Sequence, residues 1–268
     1  MYLSDRILNI KMDIGYYSKL YLIILAIILT GYYLVPAGLS YLFFYVWKKN
    51  QWVGRHIQKR FPTRKSILRE LKWSLISICI LSFFTLLLYL SIQQGHGNMY
   101  FSIREYGWVY FLFSSLLIIA VYDTYYYWIH RFMHLKKVFP WVHKTHHLSH
   151  TPTPWAILAF SPVETILEFA IYPILIFTIP LHPAALGFFI LYNIILNTGG
   201  HIGFEIVPRS FFNHRLLKYG LTVTHHDMHH SKINCNYGIY FNFWDRIMKT
   251  NHPDYEKTFN EINYDNKT

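Results

Sequence analysis

LYLIILAIILTGYYLVPAGLSYLFFYVW, residues 20–47, carries no charged side chain. As a helix rising about 1.5 Å per residue, it is longer than the roughly 30 Å hydrocarbon core of a bilayer. Pro36 and the small residues around it are expected to kink or end that helix. Residues 73–94 (WSLISICILSFFTLLLYLSIQQ) form a second uncharged run of spanning length. Residues 106–129 (YGWVYFLFSSLLIIAVYDTYYYWI) form a third, with one carboxylate, Asp123, near its end. Two shorter runs, 169–181 and 184–200, are separated by Pro180, His182 and Pro183 and read as a helical hairpin. Tyr and Trp crowd the run ends, as in an interfacial belt. A soluble core helix would show polar positions at helical spacing, and the first two runs show none.

The whole chain of 268 residues is 53% hydrophobic, 19% aromatic and 15% charged, which excludes disorder. Two cysteines exclude a disulfide-stapled domain. The net charge of +11 is concentrated, and its placement argues for membrane topology and against nucleic-acid binding. Segment 48–72 alone holds nine Lys/Arg and one Glu, which the positive-inside rule puts in the cytoplasm. Alternation then leaves residues 1–19 and 95–105 outside, with Arg6, Lys11, Lys19 and Arg104. Asp5, Arg6, Lys11, Asp13 and Lys19, with no A-x-A site, argue against a cleavable signal. The expected fold is one all-α integral membrane domain over 1–268. It has about four transmembrane helices (20–47, 73–94, 106–129 and 169–200, the last a hairpin) under a helical cytoplasmic cap made from 130–168 and 201–268.

Sixteen histidines are present, and most are grouped. His130 and His134 lie at i and i+4 on the cap side of the third run, so both can reach one ion. His143, His146 and His147 form a second group, with His150 after it. His225, His226, His229 and His230 form a third, in which 226, 229 and 230 read as one face and His225 pairs with His229. His201 follows the hairpin. His56, His96, His182, His214 and His252 lie outside these groups. Ten clustered imidazoles would repel one another if protonated and would bury unsatisfied nitrogens if neutral. A metal resolves both problems. Ten ligands exceed the four of a tetrahedral zinc and suggest two ions, and the scarcity of cysteine disfavours thiolate ligation. Imidazole alone does not choose among Zn, Cu, Fe and Ni.

The pattern His-x-x-x-His, His-x-x-His-His, His-x-x-His-His resembles the fatty acid hydroxylase/sterol desaturase superfamily of membrane di-iron oxygenases. Further elements match: Asp123 ahead of His130-Arg131, Ser161-Pro162-Val163-Glu164, His201-x-Gly203 with Pro208, Asn236-Tyr237-Gly238 and Trp244-Asp245-Arg246. The H-H-D-x-H-H form of the third cluster looks most like the sterol 4-methyl oxidase and cholesterol 25-hydroxylase branches. The resemblance implies that His130, His134, His143, His146, His147, His201, His225, His226, His229 and His230 hold two Fe2+ ions, with zinc a possible substitute in recombinant protein. Asp123, Glu164, Glu205 and Asp227 are expected to accept the distal N–H of liganding imidazoles, and Asn197 to help close the metal shell. The implied reaction is O2-dependent hydroxylation or desaturation of a lipid C–H bond, sterol or fatty acyl. Electrons would come from cytochrome b5 or another external donor. The membrane would be the endoplasmic reticulum in a eukaryote or the inner membrane in a bacterium. The chain departs from the family at Lys249, where a glycine is usual. Two alternatives stand beside this expectation: a zinc-dependent membrane hydrolase using the same histidines, and an inactive lipid-binding member.

Overall fold

A computed structural model describes residues 14–58 and 60–262, and its regular structure is helical. The expectations placed on Asp5, Arg6, Lys11 and Asp13 lie outside the described residues. Among the described residues, four helices are long and apolar enough to cross a membrane: α1 (Ile14–Trp47), α2 (Arg64–Gln93), α3 (Gly107–Met133) and α6 (Pro183–Gly200). The longest of the short helices between α3 and α6 are α4 (Pro162–Phe169) and α5 (Ile171–Thr178). A further short helix, α7 (Val223–Lys232), belongs to the cap.

The spans extend past the apolar runs because charged and polar residues at the membrane edge are themselves good helix formers. Arg64–Lys72 thus belongs to α2, started by Thr63, whose hydroxyl accepts the N–H of Ser66 at 3.2 Å. Pro36 does not end α1. The preceding turns, Ile28–Leu34, widen to π-helix, and Val35 N–H reaches back five residues to the Thr30 carbonyl. A widened turn accommodates the proline without breaking the rod.

The expected hairpin is present. Loop 95–100 bonds to the far end of α5 through Asn98 N–H to Ile176 O (2.8 Å), Leu181 N–H to Asn98 O (3.0 Å) and Tyr100 N–H to Leu181 O (3.1 Å). The α4–α5 arm therefore runs from the cap to the end of the bundle where α2 finishes, and α6 returns. Outward faces are bare and apolar: Leu22, Ile23 and Leu39 on α1, Val109 and Leu116 on α3, Leu191 on α6. Exposed apolar surface of that extent marks a lipid-facing protein. Inward faces of α2 and α3 carry Ser74, Ser77, Ser82 and Ser114, all fully buried, and small residues let helices approach closely. Thr165 of α4 donates to Ser77 Oγ at 2.9 Å, tying the arm to α2. One core cluster joins Ile118, Tyr122 and Tyr126 of α3 to Leu175, Phe189 and Tyr240.

The cap is anchored by the segment after α1. Ile57 N–H bonds Gly203 O (3.1 Å) and Glu205 N–H bonds Arg55 O (2.9 Å). Gly203 has φ +73°, and a side chain there would come within 2.8 Å of the Tyr45 hydroxyl. That is why the H-x-G element needs its glycine.

Candidate metal centre

Nine histidines converge, all buried, in two groups. His130, His134, His143, His147 and His229 form the first, and His146, His201, His226 and His230 the second; within each, the ligand atoms lie within 4.8 Å of one another. Each i, i+4 pair stays together: 130/134 and 143/147 in the first group, 226/230 in the second. The histidine inside each of the latter two pairs, His146 or His229, crosses to the other group. This follows from helix geometry, since residues four apart nearly superpose while one three apart leans to the other side. The groups adjoin, with the rings of His147 and His230 centred 5.2 Å apart.

The elements place these rings by different means. α3 ends at the site, with His130 in its last turn and His134 at its C-terminal cap. Two single-turn helices, Phe139–Val142 and Lys144–His147, carry the second cluster. Ser161 caps α4 by accepting Glu164 N–H (3.2 Å) and donates to Val142 O (2.6 Å). Ser-Pro-x-Glu is thus a cap, a first-turn proline and a first-turn acid, and it aims Glu164 at the histidines. Thr222 starts α7 by accepting His225 N–H (3.2 Å).

The donor set fits divalent metal. His130 Nδ1 donates to the Tyr237 carbonyl (2.8 Å) and His143 Nδ1 to Glu164 Oε1 (2.6 Å). In neutral imidazoles this leaves both Nε2 atoms as bare lone pairs, yet they stand 2.9 Å apart. Lone pairs so placed repel unless a cation lies between them. Two nitrogens about 2.1 Å from one ion and at right angles to each other would be about 3 Å apart. His134–His147 (3.2 Å), His201–His226 (3.1 Å) and His226–His230 (3.2 Å) show the same Nε2 spacing. Further nitrogens are buried without a partner among the described residues: Nδ1 of His134, His146, His147 and His230, and Nε2 of His229.

Burial, then the neighbouring imidazoles, holds His143, His146, His226, His229 and His230 well below the usual histidine range and lowers His134. Burial brings His147 down to about 3 and His201 to about 4. All are neutral at pH 7, the form that binds metal.

His225 is not brought to either group. Its Nε2 faces Asn251 Oδ1 at 3.2 Å and Asp245 Oδ2 at 3.4 Å. Its i+4 spacing to His229 is real, but the Asp245 carboxylate draws the ring away, so the geometry does not support a ligand role. Of the four carboxylates expected to hold imidazoles, Glu164 alone touches one. Asp123 accepts the backbone N–H groups of Tyr240 (3.0 Å) and Phe241 (3.2 Å), pinning the closing loop to α3. Glu205 accepts from Thr224 N–H (2.9 Å), Thr224 Oγ1 (2.6 Å) and Val207 N–H (2.9 Å). Asp227 accepts from Gln58 Nε2 at 3.1 Å, and burial pushes its carboxyl up to about 7. Asn197 contributes its carbonyl, which accepts from His201 Nδ1 at 2.8 Å, while its side chain bonds Ile157 O.

Several holding groups escaped sequence reasoning. The Tyr237 and Cys235 carbonyls accept from His130 and His229 Nδ1, the latter at 2.6 Å. Asp245 accepts the N–H groups of Tyr237 (2.9 Å) and Gly238 (2.8 Å) and the Thr250 hydroxyl (2.7 Å). Burial alone would raise its carboxyl; bonds from His225, Thr250 and Tyr237 outweigh that and hold it below the usual range. The Trp-Asp-Arg motif was its signal.

Below the site, a cavity of about 570 Å3 runs into the bundle. Its wall is mostly aliphatic and aromatic, and His146 and His201 face it. That volume lies within the range of about 300–1,000 Å3 typical of small-molecule sites.

Fold and site together define an all-helical membrane protein whose buried histidine centre closes one end of an apolar cavity. Residues 115–250 match the family described as Fatty acid hydroxylase. The chain is similar to a Delta(7)-sterol 5(6)-desaturase of Gibberella zeae, 31% identical over 220 residues, covering 79% of this chain and 63% of that protein. It is similar to lathosterol oxidase of Rattus norvegicus (33%; 80% of this chain, 69% of that protein) and of Homo sapiens (32%; 80% and 69%). No solved structure matches. The chain belongs to the fatty acid hydroxylase family, within the fatty acid hydroxylase/sterol desaturase superfamily, and it spans 63–69% of the length of these relatives. These relatives carry sterol desaturase and lathosterol oxidase names, a different branch from the sterol 4-methyl oxidase and cholesterol 25-hydroxylase forms that the third histidine cluster resembles.

Proposed function

We propose that this protein is a membrane-bound di-iron enzyme that oxidises an unactivated C–H bond of a sterol-class lipid, by desaturation or hydroxylation. It would use O2 and electrons from an external carrier such as cytochrome b5. The observation that carries this is the continuity of the two histidine groups with the apolar cavity through His146 and His201. The names of the relatives favour sterol over fatty acyl substrate and desaturation over hydroxylation.

His130, His134, His143, His147 and His229 would hold one iron, and His146, His201, His226 and His230 the other. Bound iron would supply the O2 reduction and hydrogen abstraction that no amino-acid side chain performs. The chain's own part is to orient and exclude. Glu164 holds the proton on His143 Nδ1 and keeps Nε2 free; the carbonyls of Tyr237, Cys235 and Asn197 do the same for His130, His229 and His201. Burial keeps the imidazoles neutral, and the apolar wall excludes water from the reacting carbon. The basic residues of 48–72 support a cytoplasmic cap, in the endoplasmic reticulum or a bacterial inner membrane.

The test is anaerobic reduction of iron-loaded protein with a Δ7-sterol, followed by O2 and product analysis. A dehydrogenated or hydroxylated sterol formed only with O2 supports the proposal. Zinc-supported, O2-independent hydrolysis, or a fatty acyl product with no sterol product, would overturn it.

A further inference from the structure

The cavity wall is not uniform. Ile24, Leu88 and Leu186 line it near the bundle end remote from the cap. Closer to the histidines stand Tyr122, Tyr126, Thr165, Tyr172 and, alone as a carboxyl group, Glu168. Glu168 is the second acid of α4, four residues after Glu164, so it lies on the same helix face one turn (about 5–6 Å) further into the membrane. Glu164 is committed to His143. Glu168 makes no hydrogen bond or ion pair among the described residues. The arm that carries it is fixed, because Tyr125 donates to the Leu167 carbonyl at 2.7 Å. Tyr126 lines the same cavity, its ring 5.0 Å from that of His130.

A carboxyl group facing an apolar membrane cavity is costly unless something bonds to it. The fold spends an acid where any aliphatic residue would fill the wall. An anionic lipid, whether a fatty acid or a phospholipid, would bring like charge to it. A neutral hydroxyl suits it in either protonation state, donating to or accepting from the carboxyl.

We infer that Glu168 anchors the hydroxyl group of a neutral, hydroxyl-bearing lipid, polar end toward the histidines and apolar body along α1 and α2. This rests on the functional proposal above and deepens it. It places the oxidised C–H bond in the ring system near the hydroxyl rather than in the remote tail. Glu168 is a positioning and specificity residue; it does not touch the metal ligands.

The experiment is equilibrium binding of radiolabelled lathosterol to the purified full-length chain in detergent, beside its 3-O-methyl ether, for wild type, Glu168→Gln and Glu168→Leu. Turnover of both sterols by iron-loaded protein is the second readout. Wild type is expected to prefer the free hydroxyl about tenfold or more. Glu168→Leu should abolish that preference by weakening lathosterol alone, raising KM more than it lowers kcat, and Glu168→Gln should restore most of it. If Glu168→Leu keeps the wild-type preference, this inference is overturned while sterol binding still upholds the functional proposal. A wild type that binds neither sterol overturns both.

Discussion

Within α7, His225 and His226 are neighbours in sequence with opposite fates. His226 faces His201 and His230 across 3.1–3.2 Å, whereas His225 turns to Asp245. We expect His146→Ala to lose bound metal and turnover, and His225→Ala to retain its metal while losing thermal stability; equal metal loss in both would show that His225 ligates. The depressed histidines also set an acid limit. Below about pH 6.5 the unfolded chain takes up protons that the folded one refuses, so these residues stabilise the fold above 6.5 and that contribution falls as pH drops toward the values near 4 and 3 of His201 and His147. Asp227, raised to about 7, and Glu205, also raised, work in the opposite direction, but the carboxyls that burial raises are fewer than the histidines that it depresses. The melting temperature of metal-free protein should therefore fall between pH 7.5 and 5, and a flat or rising profile would contradict the burial described. The i, i+4 pairs were legible in the sequence. Glu164 was legible as a group that holds one of them; the other three were not, because they are backbone carbonyls whose direction no residue type reveals.

Motifs become intelligible as elements once their caps and turns are seen. The helix Phe243–Ile247 ends in a left-handed turn at Lys249, φ +55°, closed by Thr250 N–H to Asp245 O at 2.8 Å. This is a helix C-terminus of the kind glycine favours, which explains the usual residue there. The side chain is exposed, so the turn is kept at the cost of backbone strain alone. Lys249→Gly should stabilise the protein by up to about 1 kcal/mol without changing metal content, read by thermal denaturation; destabilisation would mean the lysine makes a contact that matters. The short hairpin was legible from Pro180 and Pro183. The survival of α1 through Pro36 was not, because local proline sterics do not reveal that π turns absorb it.

Over the whole molecule, the uncharged runs announced four spans, and the density of histidine at their ends announced the cap. The segment after α1 clamping the cap, by Arg55 and Ile57 on 203–205 and Gln58 on Asp227, is a tertiary contact between stretches about 150 residues apart, and no local pattern encodes it. Single cysteines replacing Gln94 and Arg215, in a background free of Cys79 and Cys235, should be labelled by an impermeant reagent from opposite sides of the membrane. Labelling from one side would contradict the pairing of the α4–α5 arm with α6. In the proposed function the two histidine groups act as one dinuclear centre. Its most direct test is metal analysis with Mössbauer spectroscopy on iron-reconstituted protein. Two irons per chain, magnetically coupled when oxidised, are expected; a single iron, or two uncoupled ones with no O2-dependent change in spectrum, would contradict it.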